Sequence, residues 1–209
     1  TGTFNFDGGT INAGTGGGWV FVGTEKGAAG SNGTFNMSGG TFNNTFAGNR
    51  MIIGDGNATG KFILTGGALN NDGEMWIGQA ANSNGTLTVS AGTVQVNNWF
   101  AIGREGGTGT LNLSGGSITK GGANNNHVVV GSLGGKGTVN QSGGSFSTVG
   151  SGGIYLGENP TATALWDISG GTVATDETRV SWNGGTNELR VRNSGSWTTG
   201  FLNVGEASN

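Results

Sequence analysis

The stretch GTLNLSGGSITK (residues 109–120) decides the fold, because close variants of it recur along the whole chain. Its first part is a phrase in which apolar and polar residues alternate before a glycine pair. Eight copies are present, the last one degenerate: GTFNFDGG (2–9), GTFNMSGG (33–40), GKFILTGG (60–67), GTLTVSAG (85–92), GTLNLSGG (109–116), GTVNQSGG (137–144), ALWDISGG (164–171) and NELRVRNSG (187–195). Their final glycines are 24 to 31 residues apart. A repeat of this length is typical of a solenoid.

Each repeat contains three short runs with the alternation of a half-buried β-strand. The first run ends in glycine, as in MWIG (75–78), the second is the phrase itself, and the third follows it directly, as in SITK (117–120). No helical periodicity separates them. The pattern predicts an all-β, single-stranded parallel β-helix (a β-solenoid) with three short strands per coil and about eight coils. We expect a right-handed coil and a single domain over residues 1–209.

The alternation also predicts which side chains form the core. Leu111 and Leu113 point inward and should stack on the next coil about 4.8 Å away. Ile118 should stack on Phe146 in the same way. The glycine pairs are expected at corners with positive φ, where a side chain would be strained. Outward positions should form ladders of like residues, threonine beside asparagine.

The repeated phrase resembles the autotransporter-associated β-strand repeats of bacterial surface and secreted proteins. GTLNLSGG, GTFNMSGG and their variants carry the resemblance, which covers nearly the whole chain. That family includes adhesins and stalks as well as other large exported proteins. The resemblance therefore implies export and a scaffold-like role outside the cell or on its surface.

Composition excludes several classes of partner. The chain has 209 residues, 48 of them glycine, no cysteine and a formal net charge of −3. Its charges are scattered, so we expect no nucleic-acid partner. No apolar run reaches the roughly 18 residues of a membrane span, and an export signal would have to lie outside this stretch.

Acidic residues near the end of the first run are the main candidates for chemistry. They are Glu25, Asp55, Glu105, Glu158 and Glu206, with Arg104 nearby. A column of carboxylates would suit polysaccharide cleavage or Ca²⁺ binding, whereas acids in short turns also keep a glycine-rich surface soluble. Gln79 and Ser132 interrupt the column. The single histidine, His127, is expected at the surface, and we predict a non-enzymatic protein with no catalytic, cofactor or metal site.

The first run predicts an apolar stripe on one outer face. If residues such as Ile77 and Val130 point inward, their predecessors point outward. The stripe residues are Phe21, Ile52, Trp76, Val129 and Tyr155, with Ala101 between them. Three interpretations stay open: lateral association with another copy, covering by loops of neighbouring coils, and glycan binding.

The two ends of the sequence predict a head-to-tail joint. The chain begins inside the phrase and stops just after a first run, and we expect both ends to be uncapped. Joining them gives six steps from Gly205 to Gly2, the spacing also found from Gly54 to Gly60. The predicted interface residues are Thr1, Gly2, Thr3, Phe4, Phe201, Leu202, Val204, Gly205 and Asn209. Consecutive units of a longer tandem chain would make the same joint.

The function predicted from the sequence is structural: an extracellular or cell-surface subunit that stacks on copies of itself into a filament or matrix. The alternative is a glycan-binding adhesin or surface stalk module. Polysaccharide cleavage and ice binding are minor alternatives.

Overall fold

The computed structural model describes residues 1–24, 30–122, 127–150 and 152–206. Within these ranges the protein is all-β, with no helix, and its parallel strands stack into a β-solenoid of about seven turns. Glu25 and Asn209 lie outside the described residues. No helix in the described part is long and apolar enough to cross a membrane.

The second runs form one face of the solenoid, a sheet of eight strands in sequential order. With strands numbered along the chain, this second face consists of β1 (Gly2–Phe6), β4 (Asn32–Met37), β7 (Thr59–Leu64), β10 (Asn84–Val89), β13 (Thr108–Leu113), β16 (Lys136–Gln141), β19 (Thr163–Ile168) and β21 (Thr186–Val191). Its two edges are therefore β1 and β21.

The third runs and the first runs form the other two faces. The third face contains β2 (Thr10–Ala13), β5 (Thr41–Asn44), β8 (Ala68–Asn71), β11 (Thr93–Val96), β14 (Ser117–Lys120) and β17 (Ser145–Thr148). The first face contains β3 (Val20–Val22), β6 (Arg50–Asp55), β9 (Glu74–Gln79), β12 (Phe100–Arg104), β15 (Val128–Ser132) and β18 (Gly153–Leu156).

The last two coils depart from the expected three short strands. Here β20 (Thr172–Trp182) and β22 (Ser196–Glu206) each run through the third and the first face as one strand of 11 residues. A single residue, Asp176 or Gly200, separates the two runs, which leaves no length for a turn. As a result, these two faces join into one sheet of 14 strands, 13 of them on its main path and β22 paired to β20 beside it.

The predicted register of the core is confirmed. Leu111 pairs with Val139, and Ile118 pairs with Phe146. Leu113 pairs with Gln141, an amide buried in the core. Inward residues from successive coils thus form continuous columns, and these columns build one apolar core along the axis.

Glycine is required at the corners because neighbouring coils approach closely. Gly116 has φ of +72°, and a Cβ at this position would lie 2.5 Å from the carbonyl oxygen of Gly92 in the preceding coil. Any side chain would therefore be strained and would also clash. In the degenerate eighth repeat Asn193, not Gly195, adopts the positive φ.

Asparagine side chains at outward positions form ladders of hydrogen bonds, as predicted. Asn36 donates to Asn5 over 2.8 Å, and Asn140 donates to Asn112 over 3.0 Å. A second ladder on the third face includes the bond from Asn70 to Asn43, at 2.9 Å. These bonds run along the axis and add to the backbone pairing between coils.

Several inward positions carry polar side chains, among them Gln141 and Lys120. Gln141 donates to the carbonyl of Thr172 and accepts from the indole of Trp166, so its amide is satisfied inside the core. Lys120 occupies the inward position between Val96 and Thr148, and its ammonium donates to the carbonyl of Gly121 over 2.5 Å. Burial lowers the pKa of Lys120 to about 8.

Candidate functional site

The inward columns continue into both end coils, where some of their members are open to water, although Val22 and Phe6 in the N-terminal coil are buried. One column runs through the first face from Val22 to Val204. Val130, in its middle, is fully buried, whereas Val204 at its end is 71% exposed. The difference follows from position along the axis, because both side chains point the same way.

The C-terminal coil ends in an apolar groove of about 400 Å³, lined by Val180, Leu189, Val191, Leu202 and Val204 together with Asn187 and Glu188. Leu202 is 56% exposed and Val191 is 48% exposed. The predicted interface residues Phe201 and Gly205 lie on the same strand, β22, and are also exposed.

The N-terminal coil presents the opposite end of the same columns. Thr1, Gly2 and Thr3 are exposed, and Phe4 is 49% exposed although it occupies an inward position. Its ring lies 4.9 Å from that of Phe35 in the next coil. The structure therefore places the two predicted halves of the joint at opposite ends of the solenoid.

Charged side chains differ between the two ends. At the C-terminal end Arg192 bonds Asp167 through Nε at 2.8 Å and through Nη2 at 3.2 Å. Arg190 bonds both Asp167 and Glu188. The hydrogen bond from Arg192 lowers the pKa of Asp167, with a further contribution from Arg190. At the N-terminal end the corresponding edge carries an acid, Asp7.

The stripe residues point away from the main core, as their register predicts, but most of them are buried. Ile52, Trp76 and Ala101 form a separate apolar cluster with Phe21 at its margin. Val129 and Tyr155, further along the same face, are also buried. Of the three interpretations that the sequence left open, the structure therefore agrees best with a covered stripe and not with an open apolar surface.

Arginine and tryptophan side chains of the same face cover Trp76. The guanidinium of Arg50 lies between the rings of Trp19 and Trp76, at 4.4 and 4.7 Å from their centroids. Arg104 lies 4.3 Å from the Trp76 centroid and 5.3 Å from that of Trp99. These five side chains form an alternating cation–π stack across four coils. Only its first member, Trp19, is largely exposed, at 45%.

Tyr155 is covered by a second set of side chains. Its ring stacks on His127 with centroids 4.0 Å apart, and Trp182 packs on it at 4.7 Å. His127 is therefore half-buried and not a free surface residue, and burial lowers its pKa. The Tyr155 hydroxyl donates to Glu177 over 2.5 Å, and burial, followed by this bond, raises the pKa of Tyr155.

The corner acids Glu105 and Glu158 form polar contacts with their neighbours. Glu105 pairs with Arg104 and accepts from Gln79, each at 2.6 Å. Glu158 accepts from the Ser132 hydroxyl. Among the described residues no group of three acidic, histidine or cysteine side chains converges in a way that suits a metal ion.

Sequence reasoning missed the arginine and tryptophan residues that cover the stripe. The available signal was register: Arg50 lies two residues before the stripe residue Ile52 on β6, and Arg104 lies three residues after Ala101 on β12. Their guanidinium groups reach Trp76 only because adjacent coils place these side chains side by side.

Comparison with known proteins identifies no related protein. No family model matches the chain, and no curated protein and no solved structure shows significant similarity to it. The resemblance of the repeated phrase to autotransporter-associated repeats therefore stays a hypothesis.

Proposed function

We propose that this chain is a structural, non-enzymatic subunit that stacks head-to-tail on copies of itself to build a filament or matrix. The observation that carries the proposal is the exposure of inward residues in the terminal coils, Phe4 at one end and Leu202 and Val204 at the other. The contrast is largest at the C-terminal end, where Val204 is open to water while Val130 of the same column is fully covered.

A second copy would remove two unfavourable features at once. Burial of an apolar side chain such as Leu202 or Val204 stabilises a contact by about 1.5–3 kcal/mol when burial is complete. The edge strands β21 and β22 also present unpaired N–H and C=O groups, which pair readily with another strand. Continuation of the sheets into a second copy would bury these apolar side chains and pair these backbone groups.

Such a joint would generate an open filament. Its two surfaces are different, because one end presents Phe4 and the other presents Val204, so the contact is heterologous. A straight heterologous stack does not close into a ring. The eight strands of the second face, spaced ~4.8 Å apart along the axis, give an axial repeat of ~38 Å per copy.

The polar contacts of the corner acids support a structural role for these residues. Glu105 and Glu158 each form local polar contacts that stabilise the corner between coils. An extracellular or cell-surface location is supported by the resemblance of the repeated phrase alone.

The test is electron microscopy and light scattering of the 209-residue chain over a range of concentrations. We expect filaments with the ~38 Å repeat, and we expect Val204→Asp to abolish them. Val149→Asp is the matched control, because Val149 is a comparably exposed valine that lies at a corner on the side of the solenoid. A chain that stays folded and monomeric at every concentration would overturn the proposal.

A glycan-binding module is the second candidate, favoured by one cleft. Trp19, Phe21, Thr24 and Asp55 line it, so an exposed indole lies beside a hydroxyl and a carboxylate. Aromatic rings of this kind stack on sugars. Retention on immobilised glycans that Trp19→Ala removes would support this candidate, and unchanged retention would exclude Trp19 as the platform.

A further inference from the structure

We infer that the head-to-tail joint has a single register, in which Arg192 of one copy pairs with Asp7 of the next and thereby sets the polarity of the stack. The inference rests on the proposed function. It adds which residues meet and what makes the contact directional.

One column of side chains carries the charge argument. In each coil the residue just after the second-face strand donates its backbone N–H to the preceding coil. Examples are Ser38 to Phe6, Ser114 to Val89 and Arg192 to Ile168. The column reads Asp7, Ser38, Thr65, Ser90, Ser114, Ser142, Ser169 and Arg192. Small hydroxyl residues fill the six interior coils, and opposite charges stand at the two ends.

Extension of this column across the joint brings the two charges together. Inside the chain, Ser38 in the same column donates to Asp7 over 2.7 Å. One further step of the same kind places Arg192 of one copy against the open side of Asp7 of the next. Arg192 uses Nε and Nη2 on Asp167, which leaves Nη1 as a donor.

The apolar columns meet in the same register. On the second face Leu189 continues the column that begins with Phe4, so the Phe4 ring of the next copy enters the C-terminal groove. On the first face Val204 would pair with Val22 of the next copy.

Two half-exposed aromatic residues also become partners. Phe201 and Trp19 are the last and first members of one outward column of the first face, and each is about half exposed. In the proposed register Phe201 lies over Trp19 of the next copy.

The difference in corner shape between the two ends has an internal precedent. The C-terminal coil passes straight from third to first face, whereas the N-terminal coil carries residues 14–19 at that corner. Inside the chain the straight strand β20 already pairs with β17 and β18, which are separated by residues 149–152. A straight coil and a looped coil therefore stack without loss of register.

Like charges would oppose other arrangements. Two C-terminal ends brought together would place Arg192 near a second Arg192, and two N-terminal ends would juxtapose two Asp7 side chains. Neither arrangement forms the pair of opposite charges. In both, the strands of the two copies would also run in opposite directions across the joint. Continuous parallel pairing is thus restricted to head-to-tail stacking.

The experiment measures the critical concentration for assembly by sedimentation at low salt. We expect Asp7→Arg and Arg192→Asp each to raise it at least about fivefold, and the double exchange Asp7→Arg/Arg192→Asp to restore it in part. Thr10→Lys, which adds a positive charge at an exposed outward position of the same end coil where the proposed register places the uncharged Ser196 opposite, is the control and should change the value less than Asp7→Arg does.

Further measurements distinguish a folding defect in a variant, a wrong register and a wrong proposed function. Thermal unfolding below the critical concentration confirms that each variant is folded, and Arg192→Gln serves if Arg192→Asp is destabilised by repulsion from Asp167. If neither charge change alters the critical concentration of the filaments, the register is wrong and the proposed function stands. The same conclusion follows if a reconstruction of the filament places Val204 away from Val22 of the next copy. Absence of any assembly by the wild-type chain overturns both.

Discussion

The middle coils and the terminal coils of this solenoid use the same residue columns with opposite results. Leu113 and Val191 belong to one inward column of the second face, yet Leu113 is buried and Val191 is about half exposed. The contrast shows that side-chain direction is a local property of a strand. Burial of Val191, in contrast, would need a further coil over it.

The largest effect is expected from a charge in the middle of that column. Leu113→Asp should prevent cooperative folding, because it places a carboxylate in the buried core between Val89 and the amide of Gln141, which already bonds Thr172 and Trp166, at a cost of more than about 4 kcal/mol. Circular dichroism and thermal unfolding measure this. Val191→Asp, in the same column at the end coil, should cost less than about 1 kcal/mol. Equal costs for the two variants would refute the comparison.

A smaller effect is expected on the outer side of the first face. Trp76→Ala removes a buried ring that two guanidinium groups flank, and we expect a loss of about 3 kcal/mol in the free energy of unfolding. Trp19→Ala, at the exposed end of the same stack, should cost about 1 kcal/mol or less. Denaturant unfolding of both variants below the assembly concentration provides the measurement. A cost for Trp19→Ala as large as that for Trp76→Ala would show that the stack is not graded along the axis.

The smallest effect concerns pH and the one buried lysine of the middle coils. Because the pKa of Lys120 is lowered from 10.5 to about 8, the folded state binds fewer protons than the unfolded state between these values. Stability should therefore rise with pH across that window, by roughly 1–3 kcal/mol, and the penalty should be fully present below pH 8.

Lys120→Met is the test of this titration. The variant keeps the length of the side chain without its charge, so we expect it to be more stable at neutral pH and to lose the rise between pH 8 and 10.5. Unfolding curves at several pH values compare the two proteins. A wild-type profile that is flat, or a rise that persists in the variant, would contradict the assignment to Lys120.

The sequence by itself determined the coil, the register and the corners. Alternation with a period of two residues sets which side chains point inward, so the partners of Leu111 and Ile118 followed from alignment of the repeats alone. Glycine at positions such as Gly116 marked the corners, because only a residue without Cβ tolerates both the positive φ and the close approach of the next coil. The outward amide ladders followed from the same alignment.

Only the tertiary structure decided how the outer side of the first face is covered. Trp76 lies 26 residues from Arg50 and 28 residues from Arg104 in sequence, and their contacts exist only once adjacent coils are stacked. The straight strands β20 and β22, in contrast, follow from spacing along the chain, since a single residue separates their two runs. Periodicity reports on the direction of a side chain from its own strand. Covering and pKa shifts depend on neighbours that periodicity does not specify.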